Sequence, residues 1–330
     1  MSFTYASPAP HGGTVLIPTD RSEDQSYFTI DQLDEIASYY KENGYVVVRN
    51  LISNELSDAC RNSFEKEVKP YNSFLYRQAS ANPEKHVLTP HNYMLNSILN
   101  IQDLEQSKFP AFRTKGMEVL TSDNVQKVLK ALFHDEPKLV QSMYFEGNPA
   151  TWAHQDSYYL DSSELGRMVA AWFAVEDIKP GAGRFYVYPK SHLIDIEKNG
   201  GDFDIAFNHD RYKKLIIDII HSHNLECVAP ALQKGDVLFW HGKTIHGSLA
   251  TSQPEYSRSS YTGHYIPAST DFLQYQSKIK KLTLEKVNGM DVNFPKNQNV
   301  AKNRFILKIE TTFPKTFQAV KKLAIKIVTS

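Results

Sequence analysis

The stretch TWAHQDSYYL, residues 151–160, sets His154 and Asp156 two apart in a run rich in aromatic residues. In an extended strand, positions i and i+2 face the same side, so an imidazole and a carboxylate would point together into one cavity. A lone H-x-D pair is common on polar surfaces, and two side chains do not complete a catalytic metal site. The run FWHGKTIHGS (239–248) offers a third ligand, either His241 or His246. His246 is the better placed. It follows KGDVLFW, a turn and an apolar strand, through a short loop that returns the chain toward the same cavity.

The texture around these stretches is β-rich. After Pro137 come LVQSMYF, MVAAWFAVE, RFYVYP, ECVAP, DVLFW and SSYTGHYIP, short runs broken by Gly, Pro and Asp. Several short strands with turn signals predict a sandwich or barrel. Helices precede them. Thr29 and Gln32 form a capping-box pair before Leu33, Ile36, Ala37 and Tyr40, and Gly44 stops that helix. Ser53 caps a second helix bearing Leu56, Cys60 and Phe64, and Asp123 caps one bearing Val125, Val128, Leu129 and Leu132. YVVVRN (45–50) is a strand between helices. A further helix, DRYKKLIIDIIHSH, interrupts the β-rich half as an insert over about 192–225. Residues 1–26, rich in Pro, Gly and Ser, read as a flexible arm, and 27–270 as one domain. The Lys-rich extension 271–330 ends in PKTFQAVKKLAIKIV, whose Phe317, Val320, Leu323, Ala324 and Ile327 share one helical side that packs on the domain.

The 330 residues carry 37 basic and 37 acidic side chains and are 41% hydrophobic, with an isoelectric point near 7.2. The chain is globular, and its neutral balance argues against a general nucleic-acid binder. No phosphate-loop or dinucleotide glycine pattern occurs. The first residues hold no apolar run of the secretory type, and no stretch is long enough to span a membrane. Two cysteines, Cys60 and Cys227, lie far apart with no metal-type spacing, so a reduced, cytoplasmic protein is expected. Monomer and homodimer stay open.

Two imidazoles and one carboxylate leave half the positions of an octahedral ion free, the facial arrangement of non-haem Fe(II) oxygenases. The same set suits Zn(II) with an open water position. Arg258, twelve residues past His246 in EYSRSSYTGHYIP, supports iron: its planar fork meets the distal carboxylate of a dicarboxylic acid two-pronged, whereas a zinc hydrolase has no obvious need for one. Taken alone, Arg258 reads more readily as a surface cation on a strand.

The order His154-x-Asp156, then GAGRFYVYPKSH (181–192), then KGDVLFWHGKTIHGS (234–248), then Arg258 resembles the phytanoyl-CoA dioxygenase family over roughly residues 30–270. Lys190 stands where that family usually has a glycine. The resemblance implies a mainly β fold with flanking helices (α+β) around a double-stranded β-helix, the jelly-roll or cupin-like core. It implies Fe(II), 2-oxoglutarate and O2 as cofactor and cosubstrates, with His154, Asp156 and His246 as metal ligands; the choice of His246 over His241 rests on it. It further implies Arg258 and Ser248 on 2-oxoglutarate, Trp172 as an aromatic wall beside iron and cosubstrate, and Gln141 as a polar contact. Both Trp172 and Gln141 have ordinary structural readings as well. The activity implied is oxidation of an unactivated C–H bond with decarboxylation of 2-oxoglutarate to succinate. Asp156 is retained where halogenating relatives have a small residue, so hydroxylation is expected over halogenation.

Substrate residues are sought in the aperiodic stretch 69–108 and just past the metal motif. His91, Asn92, Tyr93, Tyr158 and Tyr159 suit a small polar metabolite of secondary or cell-surface metabolism, with Arg184 as an anion reader. A non-catalytic jelly-roll binding protein is the remaining alternative; it would be expected to lack a ligand or the arginine.

Overall fold

The computed structural model describes residues 4–24, 27–196, 208–276, 278–317 and 319. The strands that build the site are β1 (Tyr45–Val48), β2 (Pro137–Phe145), β3 (Val169–Ala174), β4 (Phe185–Val187), β5 (Val237–His241), β6 (His246–Ser248), β7 (Ser260–Pro267), β8 (Leu284–Val287) and β9 (Met290–Asn293). The helices are α1 (Leu33–Asn43), α2 (Asn54–Ser63), α3 (Pro110–Leu120), α4 (Asp123–Phe133), α5 (His209–Ser222) and α6 (Ala301–Thr312).

A nine-stranded sheet runs β8-β9-β2-β7-β3-β5-β1 and ends on the short strand Tyr27–Phe28, with Ile98–Leu99 added beside β2. Pairing is antiparallel except where β9 meets β2 and Tyr27–Phe28 meets β1. A smaller sheet pairs β4 with β6. Bridges from His154 to His246 and from Val187 to Val228 widen it. The two sheets face each other as a jelly roll, so the protein is mainly β with helices outside.

Alternation assigns the faces. Val46 and Val48, Val237 and Phe239, Ala171 and Phe173, and Tyr261 and Tyr265 join the core beneath the helices, with Ile36, Phe112, Val125 and Leu129. The intervening residues Val47, Leu238, Trp240, Ala170 and Trp172 point the other way and meet Phe185 and Val187 of the smaller sheet. The site lies on this second, inward face.

Local signals act as their chemistry requires, except that α1 starts one residue after Gln32, its N-cap, with no side-chain cap bond, so Thr29 does not cap it. The backbone N–H of Thr29 donates to Gln32 Oε1 at 3.0 Å. Gly44 closes α1 at φ 76°, where its N–H donates to the Tyr40 carbonyl. Ser53 Oγ caps α2 by accepting from Leu56 N–H. The cap of α4 is Ser122 rather than Asp123, since the Ser122 hydroxyl reaches the Val125 N–H.

Three expectations change. Residues 4–18 are no loose arm: Thr4–Pro8 and Thr14–Pro18 form a hairpin, and Val15 and Ile17 are buried against Tyr186, Tyr188 and Tyr212. ECVAP contributes only the Val228 bridge, its proline lacking a ladder donor. Residue 270 is no boundary, because β8 and β9 extend the main sheet and α6 docks through a Tyr76 Oη donation to Glu310 at 2.9 Å. Of the apolar side expected in the final helix, Val320, Leu323, Ala324 and Ile327 lie outside the described residues. No helix among the described residues is long and apolar enough to cross a membrane.

Candidate metal centre

His154 and Asp156 converge by a route slightly different from a continuous strand. His154 exchanges two backbone hydrogen bonds with His246, at 3.0 and 2.9 Å. Gln155 stays extended, and Asp156 then opens the 3-10 turn Asp156–Tyr158. The one extended residue between them preserves the shared facing. Gln155 itself is buried, its N–H donating to Tyr212 Oη and its amide to the Lys243 carbonyl. The turn is pinned behind by Ser157 Oγ donating to Asp161.

The three ligand atoms of His154, Asp156 and His246 lie within 4.8 Å of one another, the only such trio among the described residues. His154 Nε2 is 3.5 Å from Asp156 Oδ1, and His246 Nε2 is 3.6 Å from Oδ2. Each histidine places Nδ1 beside the carbonyl two residues earlier, Trp152 at 2.8 Å and Thr244 at 2.9 Å. A proton held there leaves Nε2 bare toward the centre, as a metal ligand must be. Burial pushes His246 down to about 4. Burial alone would raise Asp156, but the neighbouring His246 and His264 outweigh it and hold the carboxyl well below its usual range. At neutral pH the set is a carboxylate with a neutral His246, the protonation that binds a divalent cation. This donor set fits iron(II).

His241, the alternative ligand, faces outward. Trp240 and His241 are adjacent on β5, so when one points inward the other cannot. The His241 ring packs against Tyr40 and His192, with centroids 6.1 and 5.1 Å away. Trp240 takes the inward place, and its Nε1–H donates to Asp156 Oδ2 at 2.8 Å. With Phe185 it walls His246, the rings lying 5.0 and 5.4 Å from the imidazole.

Arg258 enters β7 with its N–H donating to the Glu146 carbonyl. It is 3% exposed, its guanidinium sits 5.7 Å from the Phe145 ring, and Nε has no partner. No ion pair engages it among the described residues, and burial pushes it down to about 9. A buried cation without an anion is costly, so an anionic group that reached Arg258 would be held strongly. Cross-strand register sets Gln141 opposite His264 and Trp172 opposite Thr262, so both share the inward face.

Other expected site residues are placed differently. Ser248 is inward on β6, but its hydroxyl accepts from Thr151 N–H at 2.7 Å and donates to Asn148 at 3.0 Å, which anchors the loop leading to His154. Arg184 does not read an anion: its guanidinium donates to the carbonyls of Ile178 and Pro18, since residue 184 faces away from the inward Phe185. His91 and Asn92 sit on an exposed turn, with Asn92 at φ 63°. Tyr93 ties that turn to the Glu255 carbonyl at 2.7 Å. Tyr158 is buried, stacked on Tyr212 at 3.8 Å, where it supports α5. Tyr159 is the one that reaches the centre, its ring 6.1 Å from His154.

Three residues went unnoticed in the sequence. Trp152 stands 5.6 Å from His154 and 5.1 Å from His209, and Lys213 lies over its ring. Trp240 and His264 stand behind Asp156. The signal for His264 was its even spacing from Arg258, through 260 and 262, on one strand.

The fold is shared with iron and 2-oxoglutarate enzymes of known structure. The alpha-ketoglutarate-dependent carbocyclase SnoK from nogalamycin biosynthesis superposes with a TM-score of 0.52 at 21% identity, covering 74% of this chain and 88% of that one. EctD from S. alaskensis, solved with 2-oxoglutarate and 5-hydroxyectoine, gives 0.53 at 16% identity over 90% and 94%. The peroxisomal phytanoyl-CoA dioxygenases of Bos taurus and Homo sapiens are 25% and 23% identical. They cover 73% and 82% of this chain and 71% and 78% of their own. The phytanoyl-CoA dioxygenase family model matches residues 40–259, which carry all three metal-type residues and Arg258. With that match over well more than half its length, the chain belongs to the phytanoyl-CoA dioxygenase family, a family of iron- and 2-oxoglutarate-dependent dioxygenases, and is an enzyme of that kind.

Proposed function

We propose that the protein oxidises an unactivated C–H bond of a small polar metabolite, by hydroxylation, using His154, Asp156 and His246 to hold Fe(II) and Arg258 to hold the distal carboxylate of 2-oxoglutarate. The observation that carries this is Arg258: a buried guanidinium with no anion, on the strand face that also carries the residues behind Asp156. Bound iron supplies the oxidising chemistry, in which 2-oxoglutarate and O2 yield succinate, CO2 and the oxidised substrate. The chain's own part is placement and exclusion. Trp172 and Gln141 flank the cosubstrate, and Phe185 and Trp240 keep water from His246. Trp152 and Tyr159 border His154, the least buried of the three ligands, on the side from which substrate arrives.

The solved relatives named for nogalamycin biosynthesis support a role in secondary metabolism. Two free cysteines accord with a reducing, cytoplasmic location, with the protein acting as a monomer or homodimer. The test is an anaerobic titration with Fe(II) and 2-oxoglutarate. The visible charge-transfer band of the chelate should appear in the parent and be lost in Asp156→Ala, and succinate release should then report substrates. Absence of the band in the parent, with tight zinc retained, would overturn the reading.

A further inference from the structure

One buried polar side chain on the inward face has no role in the reading above. His264 is 2% exposed, and neither ring nitrogen has a hydrogen-bond partner among the described residues. Its Nε2 stands 3.4 Å from Asp156 Oδ2 without the alignment of a hydrogen bond. The same oxygen accepts the Trp240 indole N–H at 2.8 Å. Asp156 is therefore surrounded unequally: Oδ1 has only His154 Nε2 near it, at 3.5 Å, while Oδ2 accepts the Trp240 N–H and has both His264 Nε2, at 3.4 Å, and His246 Nε2, at 3.6 Å, beside it. Packing alone does not account for His264. An imidazole buried with both nitrogens unpaired is worse for stability than a phenyl ring of similar shape, so the imidazole is kept for something it does.

We infer that His264 and Trp240 are positioning residues that hold Asp156 Oδ2 from behind, so that Oδ1 alone is offered to the cation. The inference rests on the reading of His154, Asp156 and His246 as metal ligands. Its logic is the count of places around an octahedral ion. A carboxylate that binds through both oxygens takes two places and, with two imidazoles, leaves two. Binding through one oxygen leaves three, which a two-pronged 2-oxo acid together with O2 requires. Freed from the Trp240 donor and the His264 ring behind it, Oδ2 would swing toward the ion and close the third place. The cation itself would still bind, and the loss would fall on the cosubstrate.

The experiment uses the full chain loaded with Co(II), an oxygen-stable probe. It measures the Co(II) visible spectrum, the dissociation constant of 2-oxoglutarate on the Co(II) protein, and melting without metal. His264→Phe should melt no lower than the parent, yet bind 2-oxoglutarate about 10- to 100-fold more weakly, the usual effect of losing a partner behind a ligand, with a changed cobalt spectrum. His264→Gln, whose amide nitrogen takes the place of Nε2, should return toward the parent. His264→Asn, which mimics Nδ1, should not. Trp240→Phe tests the other donor independently and should weaken 2-oxoglutarate in the same direction. A His264→Phe protein with parental spectrum and 2-oxoglutarate affinity overturns the inference, as does rescue by Asn equal to that by Gln. If instead Asp156→Ala takes up Co(II) and 2-oxoglutarate as the parent does, the metal centre itself is misassigned, and the inference falls with it.

Discussion

Replacing Arg258 with methionine gives the most quantitative test of the site. Methionine fills a similar length with no charge, so the change removes the guanidinium and little else. In the structure that guanidinium is buried against Phe145 with no anion beside it. Hydrogen bonds to charged groups contribute roughly 1.5–3 kcal/mol each. A two-pronged pair with a carboxylate therefore supplies about 3–6 kcal/mol. At about 1.4 kcal/mol per decade, 2-oxoglutarate should bind the Mn(II)-loaded variant about 100- to 10,000-fold more weakly than the parent. 2-Oxobutyrate, which keeps the chelating end and lacks the distal carboxylate, should bind parent and variant alike. The two ligands and two proteins form a cycle that isolates the contact. The metal-free variant should also melt above the parent, because an uncompensated buried charge has been removed. Calorimetric titration and thermal melting read all of this. An equal loss for both oxo acids would refute the clamp and make Arg258 a residue that shapes the metal end instead.

Three further outcomes follow from the geometry. Mn(II) at about 100 times its dissociation constant should stabilise the parent by about 2.7 kcal/mol, seen as a raised melting temperature, and Asp156→Ala should abolish that rise; a rise that survives places the cation elsewhere. Gly247→Ala should cost about 1–3 kcal/mol by overpacking, since a Cβ there would lie 2.5 Å from Tyr186 Oη and 2.7 Å from the Thr151 carbonyl. It should also weaken Mn(II) binding, because the displaced loop carries His154; a variant with unchanged melting and metal affinity contradicts the close approach. His241, pushed by burial from 6.5 down to about 3, stabilises the fold above pH 6.5 and loses that contribution as pH falls from 6.5 toward 3, where the unfolded chain binds the proton and the folded one resists it. Urea midpoints across that window should therefore fall less steeply in His241→Gln, and coincident slopes would show that the ring titrates freely.

What the sequence made legible follows from periodicity and short-range chemistry. The strands β2, β3, β4, β5 and β7 stood out as apolar runs between turn residues, and Gly44 and Ser53 ended and began helices by backbone demands local to each. The H-x-D pair kept its shared facing even though Asp156 lies on a turn, because one extended residue separates the two. Alternation along DVLFWH also contained the choice between His241 and His246, once Trp240 is known to point inward. The misses have a different origin. Whether Arg184 reads a ligand or ties loops depends on which parity of β4 faces the cavity, and neither RFYVYP nor its charge reveals parity when residues on both faces are buried. The packed hairpin at residues 4–18 escaped because Val15, Leu16 and Ile17 make only a three-residue apolar run amid Pro, Gly and Ser, and the partners of Val15 and Ile17, Tyr186 and Tyr212, lie far along the chain.

This division between legible and hidden parts has a functional counterpart. The metal-type residues and Arg258 stand on or beside β6, which pairs with β4, and β5 and β7, whose positions are over-determined by sheet pairing and by the helical core behind them. The rim is built otherwise. Trp152 lies in a loop, Tyr159 just past a 3-10 turn, and His209 and Lys213 on the first turns of α5, an element outside both sheets. Besides the approach of the Trp152 and Tyr159 rings to His154, their contacts run among themselves: Tyr159 Oη lies 3.3 Å from His209 Nδ1, and Lys213 stands 5.1 Å from the centre of the Trp152 ring. A change in α5 can thus alter which molecule is admitted without moving a metal ligand, the arrangement expected where a rigid scaffold carries the chemistry and variable segments carry the choice of substrate. Trp152→Ala should accordingly leave Mn(II) and 2-oxoglutarate affinities at parental values while changing which compounds stimulate succinate release. If it instead weakens cosubstrate binding, the rim and the cofactor site are one unit, and the separation argued from their elements is wrong.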